Sequence, residues 1–242
     1  MAPRLVEAGH TVTCVYSRTI QHAKELAVTL GVPAVDSLEQ LSAADVCLTM
    51  LTDDALKEMA PAIVKGRENA LFVHTAGSVS IDVWKNAGAK RYGVMYAMQT
   101  FSKGAQIDWP QVPVFVEGGS EADFETVTAL ARSLSANITP LSSEGRRKLH
   151  VAAVFACNFA NHMYAVSEQL LREEGVPFSV MLPLVRETAR KVETMSPVDA
   201  QTGPAVRGDR KVINEHMELL KDYPEYAEIY KLVSIDINRK LK

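Results

Sequence analysis

A chain of 242 residues that is 47% apolar has ample material for a packed core, and disorder is not expected. A formal net charge of −3, with acids and bases interspersed, excludes the basic field that nucleic acid requires and any polybasic segment for an anionic membrane. Cys14, Cys47 and Cys157 each stand alone in apolar runs without C-x-x-C spacing, which excludes a disulfide framework or zinc site and fits buried, reduced thiols in a cytoplasmic protein.

In chain order, Pro3 to Gly9 reads as the last turns of a helix closed by a C′ glycine. His10 to Tyr16 (HTVTCVY) alternates and is β-rich, so a strand is expected, followed by an amphipathic helix from Thr19 to Leu30 that Gly31 and Pro33 stop. Val46 to Leu51 and Ala70 to His74 are short continuous apolar runs, the pattern of strands buried on both faces. Between them, Thr52 and Asp53 cap a helix through Val64. A short helix over Ile81 to Asn86, strands at Tyr92 to Tyr96 and Val112 to Val116, and a helix from Glu121 to Ser135 complete an alternation that implies a parallel, doubly wound α/β sheet.

Glu144 to Gly175 contains no proline and follows Ser142 and Ser143 as N-cap candidates, so it reads as one long helix. Its first half is apolar around nearly the whole circumference, which predicts burial between two partners. Beyond it the strand signal stops. Helices are expected over Phe178 to Glu193, Asp209 to Leu220 and Tyr226 to Leu241, with Thr202 to Asp209 (TGPAVRGD) as a loop. The domain boundary is placed near Pro140 to Ser143, giving an α/β domain over 1–141 and an all-α domain over 142–242. Asn158 interrupts the longest apolar run, and no charged leader precedes an apolar segment, so neither a membrane span nor a secretory leader is expected.

Ligands of open parallel sheets bind at the carboxyl ends of the strands, and those ends supply the candidate site. After the first strand come Ser17, Arg18 and Thr19, where an NAD site would place an acid. A guanidinium and two hydroxyls instead suit a 2′-phosphate, which favours NADP, although a capped helix start with a solvent-facing arginine gives the same pattern. The other ends offer Thr52 and Asp53, then Thr75, Ala76, Gly77 and Ser78, with Gly77 permitting close backbone approach to a ligand. Asp53 reads first as a helix cap and His74 as a core histidine with a satisfied ring. In the long helix His150, Asn158 and Asn161 fall within an arc of roughly 80° at the α-helical period. They either face a cleft, with His150 as general acid or base and the amides positioning a carbonyl or imine, or form a buried polar network that fixes helix register or a dimer seam. No histidine pairing or carboxylate spacing favours a metal.

GHTVTCVYSRT, Met98 to Ser102 (MQTFS), RRKLHVAAVFACNFANHMYAV and TGPAVRGD together resemble proteins with a Rossmann-like domain followed by a C-terminal domain of unknown function, DUF2520. That family resembles pyrroline-5-carboxylate reductase and the 6-phosphogluconate dehydrogenase group. The resemblance implies a Rossmann-type sheet, NADP binding, a helical C-terminal domain that dimerises, and reductase or dehydrogenase activity on a small carbonyl, imine or hydroxy acid. A non-catalytic nucleotide sensor or structural dimer is the alternative. Such proteins open with a strand and a G-x-G-x-x-G turn before the helix ending in VEAGH, and these 242 residues contain no such turn. A truncated N-terminus is therefore expected, with impaired activity and an open slot between the strands His10 to Tyr16 and Ala70 to His74.

Overall fold

The computed structural model describes residues 1–102 and 104–240, with the backbone alone described at Lys240. The expected helix end at Leu241 lies outside the described residues. Two compact units emerge, Met1–Ala156 and Cys157–Lys242.

The first unit opens with α1 (Ala2–Glu7), whose Leu5 is buried in the main apolar cluster. Strand β1 is confined to Val15–Tyr16 and pairs in parallel with β2 (Ala34–Val35), across helix α2 (Ile20–Leu30). The β-rich stretch 10–14 makes no ladder among the described residues, because alternation defines a strand only where a neighbour accepts its hydrogen bonds. A second, five-stranded sheet has the order β3-β4-β5-β6-β7, formed by Val46–Thr49, Leu71–His74, Arg91–Ala97, Val114–Gly118 and Ile138–Pro140.

Two expectations about this sheet need correction. Ala70 to His74 does not border an open slot: β4 is paired on both sides, and the strands with a single neighbour are β3 and β7 at the two edges. Nor is the sheet wholly parallel. β5 and β6 run antiparallel, since the described residues between them hold only a single 3-10 turn (Trp109–Gln111), too little for a crossover helix, and Met98 N–H closes the hairpin on Pro113 O at 2.9 Å. The remaining neighbours are parallel, so the Rossmann-type α/β class holds.

Alternation along the strands sends side chains to two cores. Leu71, Val73, Met95, Val114 and Val116 meet Val127, Leu130 and Ala131 of α5 (Glu121–Arg132) on one face. Phe72 on the other face meets Leu56, Ala60, Ile63 and Val64 of α3 (Asp53–Val64) and Trp84 of α4 (Asp82–Asn86). The parallel strands therefore deliver the segments after β3 and β4 to the same end of the sheet, where Tyr96 near the end of β5 also lies.

From Ser143 to Glu173 the chain is helical, but not uniformly. α6 (Ser143–Ala153) and α7 (Ala160–Glu173) are joined by a π-helical turn over Val154–Phe159. The wider i→i+5 turn breaks the constant 100° step, so the α-helical arc predicted for His150, Asn158 and Asn161 does not apply. The apolar girdle is also uncovered: Val151 is 57% exposed and Phe155 64%. Cys157 is exposed as well, contrary to the expected buried thiol, while Cys14 and Cys47 are half-buried and burial pushes the Cys47 thiol up to about 11.

The second unit continues with α8 (Leu182–Lys191), α9 (Pro204–Arg207), α10 (Arg210–Leu219) and α11 (Pro224–Lys240). Polar contacts tie it internally. Asn238 Nδ2 donates to Ala205 O at 3.0 Å, His216 Nδ1 meets Tyr230 Oη at 2.8 Å, and Asp209 caps α10 by accepting from Val212 N–H at 3.2 Å. Ala205 and Leu220 are the only core-buried apolar residues among the described residues of this unit. No helix among the described residues is long and apolar enough to cross a membrane.

Candidate active site

The loop after β4 is the centre of the site. Thr75 N–H and Oγ1 both bond Thr49 O, at 3.2 and 3.4 Å, so the ends of β3 and β4 are tied together. Ser78 Oγ donates to Asp53 Oδ2. Asp53 is thus the first residue of α3 rather than its cap, a position held by Thr52, and its carboxylate anchors the neighbouring loop. His74 is fully buried, and burial pushes its imidazole down to about 3. Its Nδ1 accepts from Ala76 N–H at 3.2 Å, and the Ser80 backbone also lies against the ring.

A residue that the sequence did not single out organises this loop. Arg146 lies on α6, 1% exposed, and its guanidinium donates to Ala76 O at 3.2 Å through Nε and to Val79 O through Nη2. Nη1 donates to Glu117 Oε2 of β6 at 2.7 Å. Ser143 knits the same cluster, donating from its N–H and Oγ to Glu117 at 2.9 and 2.7 Å while its Oγ accepts from Ile81 N–H at 2.9 Å. One planar cation therefore spans helix, loop and strand, a geometry that suits arginine and not lysine.

His150 follows Arg146 by one helical turn, so the two share a face. Its Nδ1 stands 3.3 Å from Tyr96 Oη, and the rings meet edge to face with centroids 6.2 Å apart. Burial raises the Tyr96 phenol above its usual range and the Arg146 charge opposes that rise. Gly77 lies beneath both rings. A Cβ there would come within 2.6 Å of His150 Nδ1 and 3.1 Å of Tyr96 Cε2, so the close approach that this glycine permits is taken by the chain's own side chains.

The other predicted residues are dispersed. Ser17 Oγ accepts from Thr19 N–H at 3.3 Å, and Arg18 is exposed with no ion pair among the described residues. This free guanidinium, flanked by two hydroxyls after β1, is a donor set that fits a 2′-phosphate. Asn158 and Asn161 are exposed in the second unit, with no side-chain hydrogen bond among the described residues. The structure thus brings together Asp53 with Ser78 and Gly77 with His150.

The fold and this strand-end site place the chain among Rossmann-type α/β proteins with a helical C-terminal region. Residues 112–237 match the family model described as Domain of unknown function (DUF2520), and the chain belongs to that family. A Bacteroides fragilis protein named as a putative NADP oxidoreductase is 43% identical with a TM-score of 0.91, the match covering 98% of this chain and 92% of that one. A Thermotoga maritima protein is 24% identical, TM-score 0.79, over 99% and 96% of the two chains. An imine reductase from Myxococcus stipitatus, solved with NADP+, is 19% identical with a TM-score of 0.64 over 100% and 89%, a likeness of fold alone. No curated protein matches the sequence.

Proposed function

We propose that this protein is an NADP-dependent oxidoreductase that reduces a small carbonyl or imine, or oxidises the corresponding hydroxy acid. The observation that carries the reading is His150, an imidazole held at the carboxyl end of the sheet against Gly77 and Tyr96. The 43%-identical Bacteroides relative and the imine reductase fold support the same class.

In this reading Ser17, Arg18 and Thr19 hold the 2′-phosphate, and Thr52, Asp53, Thr75, Gly77 and Ser78 line the approach of the cofactor. NADPH, when bound, supplies hydride. His150 holds the proton for the substrate heteroatom, and Arg146 keeps the 76–79 loop in place beneath it.

We also propose a homodimer through the helical C-terminal region, working in the cytoplasm. Leu219 is 76% exposed and Leu232 69%, and Leu184 on α8 is also exposed, which is more apolar surface than a monomer in water ordinarily presents. Isothermal titration tests the cofactor assignment: NADPH should bind more tightly than NADH, and equal affinity would remove the role given to Arg18. A monomer mass by light scattering at micromolar concentration would remove the dimer.

A further inference from the structure

We propose that Tyr96 is a positioning residue that fixes the tautomer of His150, keeping the proton on Nε2 so that this nitrogen is the one presented for proton transfer. The use of that proton rests on the function proposed above, whereas the tautomer itself follows from the geometry.

The argument is a count of donors and acceptors. Tyr96 Oη has one hydrogen-bond partner among the described residues, His150 Nδ1 at 3.3 Å. Burial raises the phenol above its usual range, so Oη carries its proton at neutral pH and needs an acceptor. Nδ1 can accept only when the ring proton is on Nε2. The reverse tautomer would point Nδ1–H at the phenol oxygen and leave the half-buried hydroxyl hydrogen without a protein acceptor. Nε2 itself makes no hydrogen bond among the described residues, so it is free to meet a ligand atom.

The surrounding charges do not compete for Oη. Arg146, from the same helix, is spent on Ala76 O, Val79 O, Ser143 and Glu117, and Glu117 from β6 is spent on Arg146 and Ser143. Asp53 is engaged by Ser78, and His74 accepts from Ala76 N–H. Phe115, the cross-strand partner of Tyr96, offers a ring contact with centroids 6.4 Å apart and no acceptor. Gly77 completes the device. Any side chain there would wedge against both rings, and its φ lies outside the left-handed region, so the requirement for glycine is steric.

The test is nitrogen-15 NMR of the full chain labelled at histidine, with no cofactor or substrate present. The chain has six histidines, and the His150→Gln variant identifies the His150 signal by its loss. In the wild type the neutral ring should show a protonated Nε2 and an acceptor Nδ1. In Tyr96→Phe the ratio of Nε2–H to Nδ1–H should fall by about 2- to 13-fold, the population equivalent of one net hydrogen bond. Gly77→Ala, which leaves both rings intact but drives them apart, should lower the ratio in the same direction. A wild-type ring protonated on Nδ1, or a ratio unchanged in both variants, would overturn the proposal. Because the readout needs no turnover, failure of the oxidoreductase reading would leave it standing, and its own failure would leave His150 as a candidate donor.

Discussion

Replacing Arg146 by methionine keeps the aliphatic stem but removes a cation that is 1% exposed. Three losses follow. Glu117, 19% exposed, is left as a carboxylate without its counter-ion, and breaking a fully buried pair in this way costs about 3–5 kcal/mol. Partial exposure and the two bonds retained from Ser143 move this loss to the lower end of that range. The carbonyls of Ala76 and Val79 then lose their donors, at about 1 kcal/mol or more each where no water replaces them. The total expected is about 3–5 kcal/mol, a large share of a typical stability of about 5–15 kcal/mol. Both tryptophans, Trp84 and Trp109, belong to the first unit, so urea unfolding followed by intrinsic fluorescence reports that unit alone. Arg146→Met combined with Glu117→Met should recover part of the loss, because no uncompensated charge remains. A loss below about 1 kcal/mol for Arg146→Met would refute the claim that this cation holds the loop.

Gly77→Ala should destabilise the first unit by about 1–3 kcal/mol through overpacking against His150, measured by the same unfolding experiment. Arg18→Ala should weaken NADPH binding and leave NADH nearly unchanged in isothermal titration, since the guanidinium is assigned to the 2′-phosphate alone. The His74 imidazole is held at about 3 in the folded state against an ordinary 6.5. Between those values the unfolded chain binds the extra proton, so stability is fully present above pH 6.5 and falls as pH drops toward 3, by up to about 1.4 kcal/mol per pH unit. His74→Gln, which cannot titrate, should flatten that slope in urea midpoints measured across the window.

The α/β alternation was legible because buried parallel strands such as Leu71–His74 are uninterrupted apolar runs, and the helices between them carry clear stops. Less visible were pairings decided by connection length. The antiparallel turn of β6 depends on a connection whose described residues hold no crossover helix, and the three residues of β7 end in a proline that reads as a breaker. Arg146 carried no local signal. In RRK it looks like a solvent-facing base, and its partners lie 29, 67 and 70 positions away in the sequence. Tyr96 read as one more apolar position of a strand, although a hydroxyl-bearing aromatic at the carboxyl end of a buried strand was a signal available to the eye. His150 was visible because a polar residue in an apolar helix requires a reason, whereas the π turn that changes the face of Asn158 has no pattern in the residues themselves.

The central claim is that His150 serves as the proton-holding group of an NADP-dependent reductase, and one comparison tests it most directly. NADPH consumption would be followed against a panel of small imines and carbonyl compounds for the wild-type protein and for His150→Gln. The account predicts turnover with NADPH in the wild type, and a fall of about 100-fold or more in His150→Gln with NADPH affinity and melting temperature little changed. Equal turnover by the two proteins, or a folded wild type that binds NADPH and reduces nothing in the panel, would contradict it.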